Sequence, residues 1–142
     1  WRLLRFRRLA CAAMPTIERE GAVLYYETHG SGPAVVFVHG SGGSALSWWQ
    51  QIPHFAKRHR VVAFDHRGFG RSICAPEAID PRHFASDIEA ILDAAGVQRA
   101  ALVCQSMGGW SGWRADAGWV SGSVIGLMGW RRAEAGSGRC PA

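Results

Sequence analysis

The residues with the clearest capacity for chemistry surround Ser106, where a short apolar run ends at a serine followed by small residues. Residues 104–109 read Cys-Gln-Ser-Met-Gly-Gly, and residues 100–104 have the apolar character of a buried strand. A chain that leaves a strand, turns sharply at a serine and enters a helix pushes the hydroxyl out above the sheet. Small side chains must flank such a turn, because larger ones would collide. The pattern makes Ser106 a candidate nucleophile, although Cys104 stands where the usual G-x-S-x-G pattern begins with glycine.

Two more loops precede this serine, and each follows a predicted strand. The continuous apolar runs at 34–38 and 60–64 are typical of strands buried on both faces of a parallel sheet. The first run ends in residues 39–44 (His-Gly-Ser-Gly-Gly-Ser), whose backbone amides could face an anion. A phosphate-binding loop would need a lysine at its end, and this loop has none. In the loop after the second run, we expect Asp65 and Arg67 to pair.

The elements that must position these loops alternate between strands and helices. Helices are predicted at 47–58, where Pro53 interrupts the pattern, and at 81–95, which has proline at its start and glycine at its stop. Strand-like segments at 16–20 and 22–28 predict an N-terminal antiparallel hairpin. The order of elements predicts an α/β fold with a mostly parallel sheet and right-handed crossovers.

Composition excludes several classes of function. The net charge is +5, but the excess of basic over acidic residues lies in residues 1–13 and 111–142, and the segment between them is slightly acidic, so we expect no nucleic-acid partner. No apolar run approaches the roughly 18 residues of a membrane span. The four cysteines lie far apart without a C-x-x-C pair, so we expect reduced thiols in a cytoplasmic protein and no metal or other cofactor.

The three loops, taken in order, resemble those of the α/β-hydrolase family, in particular small serine hydrolases of the esterase, lactonase and cofactor-free haloperoxidase type. The resemblance covers about residues 14–110. It implies that Ser106 is the nucleophile and that the backbone amides of Met107 and Ser41 form the oxyanion hole, with Gly42 as a near alternative to Ser41. It also implies a small-molecule acyl substrate, such as an ester or a lactone.

The sequence departs from this family after the serine. The family order is serine, acid, histidine, but the only carboxylates after Ser106 are Asp116 and Glu134, and no histidine follows His83. A serine hydroxyl is a poor nucleophile without a base. We therefore expect the 142-residue chain to be catalytically inactive.

Two alternatives remain open at this point. The chain could be a non-catalytic binding module of the same fold. Alternatively, His39 or His66 could replace the missing base, which would need a ring nitrogen within about 3.2 Å of the serine oxygen.

The family resemblance also predicts the domain organisation. We expect residues 1–13 to be a poorly ordered extension and residues 14–113 to be the N-terminal half of a hydrolase domain, truncated after the serine turn. Residues 114–142 are expected to be an irregular tail that is out of frame or belongs to a fragmentary gene model. Such a half sheet would leave the strand at 99–104 without its next neighbour, exposing an edge that invites aggregation.

Overall fold

The fold is a mixed sheet with helices on both faces, and the computed structural model describes it for residues 15–115 and 126–131. The strands are β1 (Thr16–Arg19), β2 (Ala22–His29), β3 (Ala34–Val38), β4 (Arg60–Phe64), β5 (Ile73–Cys74), β6 (Arg99–Cys104) and β7 (Gly126–Arg131). The α-helices are α1 (Gln51–Phe55), α2 (Phe84–Ala94) and α3 (Met107–Ala115).

The centre of the sheet is parallel and its margins are antiparallel. The strand order is β1-β2-β4-β3-β6-β7, with β5 pairing with β2. Strand β3 lies parallel to both β4 and β6, so the carboxyl ends of these three strands meet at one edge of the sheet. Strands β1 and β2 form the predicted N-terminal antiparallel hairpin. The predicted α/β class, with a parallel centre and an antiparallel start, is confirmed.

Successive side chains of the central strands point to opposite faces, and each face carries a separate core. On one face, Val36 and Val38 pack with Ile88 and Leu92 of α2. On the other face, Phe37 lies among residues of the first helical segments, and its ring centroid is 4.9 Å from that of Trp48. Burial on both faces explains why β3 and β4 read as continuous apolar runs rather than alternating ones.

The predicted helix at 47–58 is instead two short segments. A 3₁₀ turn at Ala45–Trp48 is capped by the hydroxyl of Ser44, and α1 follows as a separate helix. Pro53 is the third residue of α1, a position at which a backbone N–H would have no partner within the helix. The prediction of one long helix from 47 to 58 is therefore wrong, because the 3₁₀ turn ends at Trp48 and α1, which holds Pro53 in its first turn, runs only from Gln51 to Phe55. The predicted helix at 81–95 begins as a 3₁₀ turn, Pro81–His83, and continues as α2.

The prediction that the strand at 99–104 lacks a neighbour is wrong. Strand β7 pairs antiparallel with β6 along its whole length, from Cys104 opposite Gly126 to Arg99 opposite Arg131. The exposed edge of β6 offers unpaired N–H and C=O groups, and β7 satisfies them. Strand β7 falls within the segment predicted to be an irregular tail. The rest of that tail beyond Ala115, and the predicted extension at 1–13, lie outside the described residues.

Candidate active site

Ser106 lies in a two-residue turn between β6 and α3. Its φ is +49°, a left-handed conformation that costs a residue with a β-carbon about 1 kcal/mol. The turn is held by its neighbours, because the amide of Gln105 donates to the carbonyl of Val38 at 3.0 Å and the amide of Gly109 donates to the carbonyl of Ser106 at 2.8 Å. The side chain of Ser106 is exposed. The predicted sharp bend at the end of a strand is therefore present.

The two loops predicted to share the site meet at glycines. A β-carbon on Gly40 would lie 3.1 Å from the β-carbon of Ser106, so the first loop passes directly beside the serine. A β-carbon on Gly108 would lie 2.5 Å from the carbonyl oxygen of Val38 and 2.7 Å from that of His39. Both contacts are with rigid parts of the chain, so only glycine allows the serine turn and the end of β3 to approach this closely.

Backbone amides on both sides of the serine have no acceptor among the described residues. In the part of the chain that the structure describes, the amides of Ser41, Gly42 and Met107 donate to no protein group. Met107 is the first residue of α3, where an N–H has no partner within the helix. The loop also contains a left-handed residue, Gly42, with φ of +72°. These free donors flank the serine on the two chain segments expected to carry an oxyanion hole.

His39 is buried beneath the glycine-rich loop, and both of its ring nitrogens are engaged. Nδ1 lies 2.7 Å from the carbonyl oxygen of Gly40, and Nε2 accepts the backbone N–H of His66 at 2.9 Å. Because a backbone amide can only donate, Nε2 carries no proton, and Nδ1–H donates to Gly40. Burial lowers the pKa of His39, although the hydrogen bond to Gly40 and the charge of Asp65 oppose this effect.

His66 is packed among aromatic rings and makes no side-chain hydrogen bond. Its ring stacks on Phe84 with centroids 4.6 Å apart, and neither ring nitrogen has a partner among the described residues. Burial, with a smaller contribution from the charge of His39, lowers the pKa of His66 to about 3. Neither imidazole is bonded to the oxygen of Ser106. The alternative in which His39 or His66 serves as the base is therefore wrong.

The loop after β4 is pinned by Asp65 in a way that differs from the prediction. The buried carboxylate of Asp65 accepts the amide of Ala45 at 2.5 Å and the amide of Arg71 at 2.7 Å. Arg67 does not pair with Asp65. Its guanidinium is fully buried and forms a bidentate pair with Asp87 of α2, at 2.6 and 2.7 Å. Side chains two residues apart in this loop diverge, and α2 supplies the partner.

Cys104 occupies the first small position of the serine turn. Its side chain is buried at the end of β6, and burial raises the pKa of the thiol to about 12. The thiol is therefore protonated at neutral pH and acts as a small apolar side chain. This explains why cysteine can stand where the usual pattern has glycine.

Across residues 15–115 and 126–131, no three side chains of the metal-binding types gather closely enough to hold an ion. No helix in the same residues has the length and apolar character needed to cross a bilayer.

Comparison with known proteins connects this geometry to one family. Residues 33–115 match the family model of the alpha/beta hydrolase fold. A RutD protein of Azorhizobium caulinodans, whose name assigns it carbamate hydrolysis, is 38% identical over 133 residues, which are 89% of this chain and 49% of the relative. The chain thus spans about half the length of the curated relatives it matches.

Solved structures show the same likeness. An alpha/beta hydrolase fold protein from Burkholderia ambifaria superposes with a TM-score of 0.68 at 30% identity, covering 71% of this chain and 37% of the other. Est816, described as an N-acyl homoserine lactone degrading enzyme, gives a TM-score of 0.63 at 36% identity, covering 72% and 40%.

Proposed function

The chain belongs to the α/β-hydrolase family, and we propose that it carries the nucleophile of a serine hydrolase that acts on an ester, lactone or similar acyl compound. The observation that carries this proposal is the conformation of Ser106, which is exposed at a left-handed bend at the end of β6, beside Gly40. A strained, exposed residue at such a turn is typical of a functional position. The names of two kinds of relative, carbamate hydrolases and a lactone-degrading enzyme, support an acyl substrate, whereas other relatives are named epoxide hydrolases.

In the proposed reaction, the oxygen of Ser106 attacks the acyl carbon, and the carbonyl oxygen of the substrate becomes negatively charged. The free amides of Ser41 and Met107 are the proposed donors to that oxygen. Each such donor can lower the barrier by roughly 3 kcal/mol. A base takes the proton of the Ser106 hydroxyl during the attack, and the leaving group departs with that proton as the carbonyl re-forms, leaving an acyl group on Ser106 for water to remove.

The proton of the Ser106 hydroxyl has no acceptor among the described residues, because both nitrogens of His39 bond to backbone groups and neither nitrogen of His66 bonds to any described group. The sequence contains no histidine after His83. We therefore expect the 142-residue chain to show no turnover by itself. A non-catalytic module that binds acyl compounds is the second candidate, and the lack of a nearby imidazole is the observation that favours it.

Acylation with an added base distinguishes these candidates. The chain is incubated with p-nitrophenyl acetate, with and without free imidazole, and the acetylated residue is located by peptide mass spectrometry. A general base contributes 10²- to 10⁴-fold, so we expect imidazole to raise acetylation of Ser106 by at least about tenfold. The variant S106A is the matched control and should gain no acetyl group at this peptide.

Two results would contradict the proposal. Acetylation spread over other serines to the same extent would show that Ser106 is not activated by its surroundings, and the binding module would then be favoured. A burst of p-nitrophenolate without imidazole would show that the chain has a base of its own, and that the expected inactivity is wrong.

We also propose a cytoplasmic location. Cys74 and Cys104 are both free thiols, and reduced thiols are typical of that compartment.

A further inference from the structure

The carbonyl of Gly40 and the amide of Ser41 belong to one peptide group, and hydrogen bonds to its carbonyl oxygen hold that group in place. The carbonyl oxygen of Gly40 accepts from Nδ1 of His39 at 2.7 Å and from the amide of Gly43 at 3.1 Å. A trans peptide is planar, and its C=O and N–H point in opposite directions. Fixing the carbonyl oxygen therefore fixes the direction of the Ser41 N–H, which points away from His39.

We propose that His39 is a positioning residue that aims the Ser41 amide at the site of the reacting oxygen, through the Nδ1–H tautomer of its ring. The inference rests on the proposed function of Ser41 as an oxyanion donor. The backbone N–H of His66 fixes the tautomer of the His39 ring, because it donates to Nε2 and leaves Nδ1 as the protonated nitrogen. The loop direction is thus determined by the end of β4, not by the glycine-rich sequence alone.

The surroundings of His39 keep this arrangement in place. The ring is fully buried, with the His66 ring at 4.7 Å and the Phe69 ring at 5.6 Å between centroids. A charged imidazolium would carry protons on both nitrogens and would lose the bond from His66. Burial disfavours that charged form and lowers the pKa of His39, so the neutral ring that this geometry requires is also the favoured one.

Two substitutions of His39 test the roles of its two ring nitrogens separately. Asparagine presents an amide near the position of Nδ1, so H39N can still donate to Gly40. Glutamine reaches the position of Nε2, so H39Q can accept from His66 but loses the donor to Gly40. If His39 acts by aiming the peptide group, the two variants must differ at Ser41, although both replace the same buried ring.

The first measurement needs no variant. Long-range ¹H–¹⁵N spectra of the uniformly ¹³C,¹⁵N-labelled chain report which nitrogen of each ring carries the proton, and the His39 ring signals are assigned through bonds from its backbone resonances. We expect the proton on Nδ1 at pH 7. A proton on Nε2, or on both nitrogens, would overturn the proposal.

The second measurement follows the Ser41 backbone amide and the imidazole-assisted acetylation of Ser106 in both variants. We expect the Ser41 resonance to stay near its position in H39N, with acetylation within about twofold of the unaltered chain. In H39Q the resonance should move and acetylation should fall by at least about tenfold, a part of the loss seen when such a donor is removed outright. Equal shifts in both variants would show that His39 only fills space.

The two measurements also distinguish the positioning role of His39 from the proposed function of Ser106 as the nucleophile. If the tautomer and the response of the Ser41 amide are as expected but Ser106 is never acetylated, His39 still positions the loop and the proposed function fails. If acetylation occurs and the H39N and H39Q variants respond alike, the proposed function stands and the positioning role fails. If neither variant folds, the tautomer of His39 in the unaltered chain decides whether the positioning role stands, with a proton on Nδ1 supporting it and a proton on Nε2 overturning it.

Discussion

Replacing His66 by phenylalanine should change how the stability of the fold depends on pH. His66 is 1% exposed and its ring nitrogens have no partner among the described residues. Phenylalanine has a similar shape and would remain among the neighbouring aromatic rings. The backbone N–H of residue 66, which donates to His39, is unaffected by the substitution.

The expected size of the effect follows from the pKa of His66, which burial lowers from 6.5 to about 3. Above pH 6.5 the ring is neutral in both the folded and the unfolded chain, and there is no effect. Between pH 6.5 and about 3, the unfolded chain binds a proton that the folded chain does not bind. The free energy of unfolding therefore falls as the pH falls, by about 1.4 kcal/mol per pH unit. This amounts to about 1.4 kcal/mol at pH 5.5 and about 2.7 kcal/mol at pH 4.5.

The assay is urea denaturation of the unaltered chain and of H66F at pH 7.5, 5.5 and 4.5. We expect the stability of H66F relative to the unaltered chain to rise by these amounts as the pH falls. His39 titrates in the same direction but is present in both chains, so most of its effect cancels. H54Q supplies a matched control, because it removes an exposed histidine and leaves the buried aromatic cluster around His66 unchanged.

A constant difference between H66F and the unaltered chain, within about 0.5 kcal/mol from pH 7.5 to 4.5, would refute this reasoning. It would mean that the His66 ring reaches water or is already charged in the folded chain.

Three further predictions concern close packing and buried groups. A β-carbon at Gly108 would lie 2.5 and 2.7 Å from two carbonyl oxygens, whereas one at Gly109 would have no neighbouring atom within 4 Å. G108A should therefore lower the free energy of unfolding by at least about 2 kcal/mol, and G109A should not lower it. Equal urea midpoints for the two variants would contradict this. D87A leaves the buried Arg67 guanidinium without its partner and should cost about 3–5 kcal/mol in the same assay, and a loss below 1 kcal/mol would show that the pair contributes little. Since burial raises the pKa of Cys104 to about 12, iodoacetamide at pH 8 should alkylate this thiol only after unfolding, and alkylation of the native chain at the Cys104 peptide would show otherwise.

The position of the candidate site could be predicted from the sequence because it depends on strand ends. Apolar runs identified β3 and β6 as buried parallel strands, and parallel neighbours bring their carboxyl ends to the same edge. That placed Ser106 beside the loop that begins at Gly40, as the structure has it. The prediction depended on the small residues in and beside the turn, Gly108 and Gly40, because only small residues let the serine turn and the first loop lie this close together.

The contacts that depend on packing could not be predicted in the same way. Arg67 has a carboxylate two residues away, yet it pairs with one 20 residues away, because α2 brings Asp87 against the loop. The tautomer of His39 depends on a backbone amide at the end of β4, and no sequence pattern records that contact. The pairing of β7 with β6 could not be predicted, because the weak periodicity of residues 120–128 fits a short strand or a helix and does not indicate a partner, although an unpaired edge favours any strand that can reach it.

The most direct test of the central claim is a crystal structure of the chain with Ser106 phosphonylated by a fluorophosphonate in the presence of imidazole. The phosphoryl oxygen of this adduct stands for the charged oxygen of the reaction. If both amides donate as proposed, this oxygen lies about 2.7–3.1 Å from the backbone nitrogens of Ser41 and Met107. A phosphoryl oxygen that points into solvent, or an adduct on another serine, would contradict the assignment of Ser106 and its two donors.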